Sequence, residues 1–202
     1  TTHKKSTYED VGLRPVTGVK KEIFKGTEPK SFIRMFWNGE APFSPDDQLK
    51  MQALTEVLNI KLIEKLREDL AGIYGGGMYG ALNKLPYNHF TMGASLPCGP
   101  ENVDKLIAAT HEEIEKIKTH GPAVEDLNKV KETWRQQHEV NLKENNYWAR
   151  QLLLSVELGI EFNHVLSYEK RIEMLTPADV KAAANKYLDM KYYTQIVLNP
   201  EK

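Results

Sequence analysis

The chain has 202 residues, 41% of them hydrophobic, and its 27 basic and 28 acidic residues leave a formal net charge of −1. This length fits one large domain, and the apolar fraction is enough for a hydrophobic core. The charge balance argues against a nucleic-acid-binding protein, which normally has a basic excess on one face. No apolar run is longer than four residues, which is far too short to span a bilayer, so we expect no membrane insertion.

The N-terminus and the single cysteine indicate the context of the chain. It begins at Thr1 rather than Met and has no signal-peptide pattern, so we expect an excised piece of a longer protein. Residues 1–15 are polar and unpatterned, which predicts a linker followed by one domain over 16–202. Cys98 cannot form an internal disulfide because it is the only cysteine. No histidine lies close to it in sequence, and we interpret it as a structural residue.

Alternating apolar residues predict two strands near the start of the domain. The first covers residues 16–25, and the second, at 31–38, has the stronger pattern. Three of its side chains alternate onto one face: Ile33, Met35 and Trp37. Phe32 and Phe36 make the other face partly apolar as well, so we expect this strand to be covered on both sides.

A long helix and a hairpin come next. Ser44 precedes a proline and two aspartates, which is a strong helix start. Leucines then recur at helical spacing over about 25 residues, ending near Gly72: Leu54, Leu58, Leu62, Leu66 and Leu70. Residues 73–82 are glycine-rich and extended, and they pair with an alternating strand at 86–96. Such glycines mark either a kinked, weakly packed strand or a place where another backbone, such as an extended peptide, approaches closely.

The second half of the chain is mostly helical. Helices are predicted at 100–120, 123–145, 147–158, 167–175 and, after a Thr-Pro-Ala-Asp cap, 176–188, with a last strand at 192–198. The element order is therefore β-β-α-β-β-α-α-α-α-α-β. Since strands and helices do not alternate regularly, we predict an α+β fold with a mostly antiparallel sheet and helices packed on one face.

Three short motifs resemble catalytic or metal sites but are incomplete. The run at 111–115, His-Glu-Glu-Ile-Glu, lacks the second histidine of a zinc helix, and its charged neighbours indicate a solvated face. Gly-Ala-Ser-Leu-Pro at 93–97 lacks the last glycine of a nucleophile elbow. The glycines at 75–80 lack the Lys-Ser/Thr of a phosphate loop. The sequence therefore predicts no metal site and no complete catalytic site in this chain alone.

The segment from the end of the long helix to the next strand allows two interpretations. Arg67 offers a fixed fork of donors and Tyr74 a phenolic O–H, so together they could hold a carbonyl oxygen or stabilise a developing oxyanion. Alternatively, Arg67 complements the C-terminus of the helix and Tyr74 packs in the core. Residue pattern alone leaves both interpretations open.

A family resemblance bears on this choice. The run Leu-Arg-Glu-x-Leu-x-Gly-x-Tyr at 66–74 resembles a signature in the C-terminal, non-metal half of pitrilysin/insulinase-type (inverzincin) zinc metallopeptidases. The opening at 26–38, the Ser-Pro helix start at 44–45 and the Thr-Pro-Ala-Asp-Val start at 176–180 are similar too. The likeness covers roughly residues 16–200 and is strongest to the bacterial, multi-domain zinc proteases of the family.

The resemblance implies a specific role. In the family, repeated α+β domains of the processing-peptidase/insulinase fold form two halves, and zinc is bound by an inverted motif in an N-terminal domain. This chain lacks that motif, so zinc is expected in the parent enzyme but not here, and the fragment alone is expected to be inactive. Arg67 and Tyr74 match family positions that bind the backbone of a peptide substrate. The zinc-bearing domain would lie on the same chain or on a partner subunit.

The resemblance leaves one alternative function open. Some relatives have lost peptidase activity and serve as interaction or scaffold domains. Bacterial relatives of this type suggest the periplasm or the cell envelope as the location.

Overall fold

The computed structural model describes residues 9–69 and 75–201, and for residues 66–69 it describes the backbone only. The described residues form one five-stranded sheet, in which the strands follow the order β1-β5-β2-β4-β3. The strands are β1 (Lys20–Phe24), β2 (Ser31–Glu40), β3 (Gly77–Asn83), β4 (His89–Cys98) and β5 (Tyr193–Asn199). All neighbours pair antiparallel except β1 and β5, which pair parallel. The predicted α+β fold with a mostly antiparallel sheet is therefore confirmed.

Seven α-helices lie in the described part of the chain. They are α1 (Pro45–Asp69), α2 (Val103–His120), α3 (Val124–Asn141), α4 (Asn145–Leu158), α5 (Asn163–Leu166), α6 (Tyr168–Met174) and α7 (Pro177–Tyr187). The predicted order contains one helix too few, because α5 is missing from it. A helix of four residues is a single turn, too short to produce an apolar period in the sequence.

The two predicted helix starts are confirmed by their hydrogen bonds. The Asp47 amide donates to Ser44 Oγ over 3.0 Å at the start of α1. At the start of α7, Thr176 and Asp179 form a capping box in which each side chain accepts from the other residue's backbone N–H. Such caps satisfy amides that the first helical turn leaves without a partner.

Helices cover one face of the sheet, and the hydrophobic core lies between the helices and that face. The helix-facing side chains of β2 and β4 are fully or almost fully buried: Ile33, Met35, Trp37, Phe90, Met92, Ala94 and Leu96. Leu54, Leu58 and Leu62 of α1 are buried against them, as their spacing predicted. On the opposite face, Phe32 and Phe36 remain partly exposed. The expectation that β2 is covered on both faces is therefore wrong for the described residues, since the partly apolar second face has no layer over it.

Candidate functional site

The two predicted site residues, Arg67 and Tyr74, come from the end of α1 and from the segment that follows it. Arg67 belongs to the last two turns of α1, but its side chain lies outside the described part of the molecule. Tyr74 lies in the segment 70–74, which is outside the described residues. Their role in binding a substrate therefore stays a prediction. The structure does describe the two elements that hold this segment, α1 before it and β3 after it.

Helix α1 lies along the free edge of β3 and hydrogen-bonds to its backbone. The side-chain amide of Asn59 pairs with Met78: the Met78 N–H donates to Asn59 Oδ1 over 2.7 Å, and Asn59 Nδ2 donates to the Met78 carbonyl over 3.0 Å. Further along the strand, the Leu82 N–H donates to Gln48 Oε1 over 2.6 Å. An edge strand normally presents such groups to water or to another chain. Here α1 provides partners for these three groups.

Two glycines allow this close packing. A side chain at Gly80 would lie 2.9 Å from Thr55 Oγ1 and 3.2 Å from the Met51 side chain, both on α1. Gly76 has φ +110°, and a side chain there would collide with the Ser95 carbonyl oxygen of β4. Of the two interpretations of the glycine-rich segment, the close approach of another backbone fits Gly76, whereas at Gly80 the close neighbours are side chains. The neighbours are α1 and β4, and α1 already pairs with backbone groups of the strand that an added peptide would need.

Replacing Asn59 tests whether the bonds between α1 and the edge of β3 contribute to stability. We expect Asn59→Leu to lower the free energy of unfolding by about 1–3 kcal/mol, because it leaves two partly buried backbone groups without partners. Asn59→Asp is expected to be at least as destabilising, since a carboxylate oxygen would then face the Met78 carbonyl. Gln52→Leu, at an exposed position of the same helix, is the control and should change stability by less than about 0.5 kcal/mol. Urea unfolding measures the stability of all three variants. Equal stability of the Asn59 and Gln52 variants would show that the bonds from Asn59 to β3 do not stabilise the fold.

Ion pairs fix the outer side of α1. Lys61 Nζ lies 2.7 Å from Asp126 Oδ2 on α3, and Lys50 Nζ lies 3.0 Å from Asp179 Oδ1 on α7. Asp126 is 3% exposed. Burial alone would raise the pKa of its carboxyl, but hydrogen bonds from Lys61 and Lys129 outweigh that effect and lower the pKa. These ion pairs, together with the bonds to β3, hold α1 to the sheet edge and to two other helices.

His111 and Cys98 have structural surroundings. His111 packs edge-on against Trp37, and its Nε2 lies 3.2 Å from Tyr193 Oη, so burial lowers its pKa. The expectation that this helix face is simply solvated is thus wrong at His111. Cys98 is buried, which raises the pKa of its thiol to about 11 and agrees with a structural role. Within the described ranges, no three His, Cys, Asp or Glu side chains are grouped closely enough to hold a metal ion.

A cavity of about 770 Å³ lies at the other end of α1, where the sequence shows no signal for one. It is open to solvent on one side and is bordered by the start of α1, the β3–β4 hairpin and the helices α3 to α6. Aromatic and amide side chains line much of its wall, among them Phe43, Trp134, Gln137, Tyr147, Gln151 and Tyr168. These residues come from separate elements, so no local spacing in the sequence brings them together.

Comparison with known proteins identifies the family. Residues 2–133 match the family described as the peptidase M16 inactive domain. The chain belongs to this family. It is also 27% identical over 165 residues to an Arabidopsis thaliana protein named Zinc protease PQQL-like, a match covering 74% of this chain and 17% of that protein. The predicted relationship to zinc metallopeptidases is thereby confirmed.

Solved structures show the same fold. The periplasmic protease PqqL from Escherichia coli has a TM-score of 0.81 at 17% identity, over 93% of this M16 chain and 21% of its own. The ferredoxin protease FusC, solved in complex with Arabidopsis ferredoxin, has a TM-score of 0.78 at 16% identity, over 91% and 20%. A peptidase M16 inactive domain from Pseudomonas fluorescens gives 0.71 at 16%, over 90% and 42%. The chain thus spans about a fifth of the first two proteins.

A helix must be both long and largely apolar to cross a bilayer, with about 20 consecutive residues in the hydrocarbon layer. Over the described residues, no helix of this M16 domain meets both conditions.

Proposed function

We propose that this M16 inactive domain is the non-metal domain of a zinc metalloendopeptidase, where it closes over the zinc-bearing domain and binds the substrate backbone. One observation carries the proposal. The Leu-Arg-Glu-x-Leu-x-Gly-x-Tyr run begins at the end of a helix that hydrogen bonds, ion pairs and core packing hold in place, in a chain of the M16 family.

The chemistry of Arg67 and Tyr74 suits this role. The Arg67 guanidinium and the Tyr74 hydroxyl are donors that can hold a peptide carbonyl and stabilise the negative charge that develops on it during hydrolysis. Donors contribute most when they are fixed before the reaction. Arg67 follows the Asn59 anchor by eight residues, or about 12 Å of helix, so the sheet edge limits the movement of its backbone. Supplying these donors from a separate domain would couple cleavage to closure.

The zinc would be held by another domain, on the same chain or on a partner subunit. A bound zinc ion supplies a water of lowered pKa for attack on a peptide bond. The described residues of this chain offer no set of ligands for it. We therefore assign to this chain substrate binding and closure, and to the other domain the metal.

The names of related proteins support a polypeptide substrate. PqqL is described as a periplasmic protease, and FusC as a ferredoxin protease whose structure was solved with ferredoxin. By analogy we propose a peptide or protein substrate for the parent of this chain, and the periplasm or cell envelope as its location.

Metal removal in the full-length parent protein tests the proposal. We expect the parent to cleave a quenched fluorescent peptide, a zinc chelator to abolish cleavage, and added zinc to restore it. The 202-residue chain alone should not cleave the peptide, because it lacks the zinc motif.

The family description as an inactive domain also fits a second function, an interaction or scaffold domain. A well-folded parent that binds zinc but cleaves none of a broad peptide library would favour that second function and contradict the first.

A further inference from the structure

Helix α4 is poorly buried for a helix of its length. It has 14 residues, and none of them is buried. Most of the stability of a helix in a protein comes from packing an apolar face, and a 14-residue helix is only marginally stable in water without such packing. One face of α4 lines the cavity through Tyr147, Gln151, Leu154 and Leu158. The opposite face is apolar as well.

We call this outer face the α4 seam, and it consists of Ala149, Leu152, Leu153 and Val156. Its three large side chains are 53%, 57% and 77% exposed in chain order. The spacing of three and four residues places all four on one stripe of the helix. Arg150 and Glu157 border the stripe, and both are exposed. An apolar stripe with a charged border is the pattern of a helix that packs against a partner.

The two ends of α4 are tied to the domain. Near its start, Trp148 Nε1 donates to the Leu142 carbonyl over 2.9 Å. At its end, Lys84 Nζ donates to the Leu158 carbonyl over 2.5 Å. These bonds link α4 to the turn before it and to the β3–β4 hairpin. With its inner face lining the cavity, α4 leaves the seam facing away from its own domain.

We propose that the α4 seam is the surface on which another domain of the same parent protein docks. The inference shares one premise with the proposed function, namely a parent with further domains. The size of related proteins supports that occupant, because this chain covers only 21% of PqqL and 17% of the Arabidopsis relative. The seam also lies outside residues 2–133, the part that matches the M16 family, so the family match assigns it no role.

The small area of the seam favours a tethered domain over a free partner. A stable interface between free proteins buries about 800 Å² on each side. Four side chains on two helical turns supply on the order of a few hundred Å². A linked domain needs far less affinity, because the linker raises its effective concentration to roughly millimolar. A second copy of this chain would lack that advantage.

Hydrogen exchange in the full-length parent tests the proposal. The variant is Leu153→Lys with Val156→Lys, and the control is Met174→Lys, at a 67% exposed apolar position outside the seam. We expect the amides of α4 to exchange at least tenfold more slowly in the wild type and the control than in the double variant. Lysine is about as good a helix former as leucine and a better one than valine, so a weaker helix would not account for the loss. Equal exchange in all three proteins would overturn the proposal.

Two further measurements distinguish a linked domain on the seam from a folding defect and from a second copy of the chain. The 202-residue chain has its own core, so the double variant can be compared with the wild type as an isolated domain, where we expect the same melting temperature. Sedimentation of the isolated wild-type chain should show a monomer. A dimer that the double variant dissociates would make a second copy the occupant and overturn the proposal. None of these results depends on peptide cleavage, so a catalytically inactive parent would still show the protection of α4.

Discussion

Replacing Arg67 by methionine in the parent protein is expected to lower kcat/KM for peptide cleavage by about 10²–10³-fold, the typical effect of removing one fixed donor from an oxyanion site. The loss corresponds to roughly 2.7–4 kcal/mol of transition-state stabilisation. Arg67→Lys should recover only part of the activity, because an ammonium keeps the charge but not the planar fork of donors. Steady-state cleavage of a quenched fluorescent peptide measures these differences.

The control for Arg67 removes a positive charge elsewhere. Lys105 on α2 is exposed, and Lys105→Met should leave kcat/KM unchanged within about twofold. If Arg67→Met melts at the wild-type temperature and cleaves at the wild-type rate, Arg67 only complements the C-terminus of α1. If both variants lose activity equally, the effect comes from net charge, and Arg67 has no special role.

The second large effect is expected at Lys61, which holds α1 to α3. Lys61→Met should lower the free energy of unfolding by about 2–3 kcal/mol. The removal of one partner of a buried pair typically costs about 3–5 kcal/mol, but Lys61 is 29% exposed and Lys129 still faces the same carboxylate. Urea unfolding at pH 7 measures the change. The effect should shrink as the pH falls below 3.8, the ordinary pKa of the carboxyl, because protonation of Asp126 ends its need for a cation.

The chain contains a matched control for Lys61. Lys129 binds the other oxygen of the same carboxylate over 3.3 Å, but its side chain is 60% exposed. Lys129→Met should therefore change stability by less than about 1 kcal/mol. In the double variant Lys61→Met/Asp126→Asn the loss should be smaller than in Lys61→Met alone, since no unpaired charge stays buried. Equal effects of the two lysine replacements would show that the shorter, less exposed contact of Lys61 contributes no more to stability than that of Lys129.

Much of the fold was predictable because its strongest signals are local. The leucine stripe of α1, the alternation of β4 and the caps at Ser44 and Thr176 each depend on spacings within a few residues. The features that the prediction missed lack such a local signal. The single turn of α5 is one example. Another is β1, predicted at 16–25 but found only at Lys20–Phe24, with all five residues exposed on a sheet edge.

The contacts that hold α1 in place beside the proposed site could not be predicted from the sequence, for a different reason. The bonds between Asn59 and Met78 join residues 19 positions apart, and the pair of Lys61 and Asp126 joins two separate helices. Polar residues such as Asn59 look like ordinary solvated positions on α1 until the strand beside them is known. The choice of Arg67 and Tyr74, by contrast, came from a family resemblance. Periodicity alone left two interpretations of these residues open.

The most direct test of the proposed substrate site is the rate of peptide cleavage by the full-length parent, compared between the wild type and Tyr74→Phe. The substitution removes one hydroxyl and keeps the ring, so it should change packing little. A donor at the reaction centre predicts a fall in kcat/KM of about tenfold or more, which is about 1.4 kcal/mol for each factor of ten. The melting temperature should be unchanged. Unchanged cleavage by Tyr74→Phe would contradict the assignment and place Tyr74 among the structural residues.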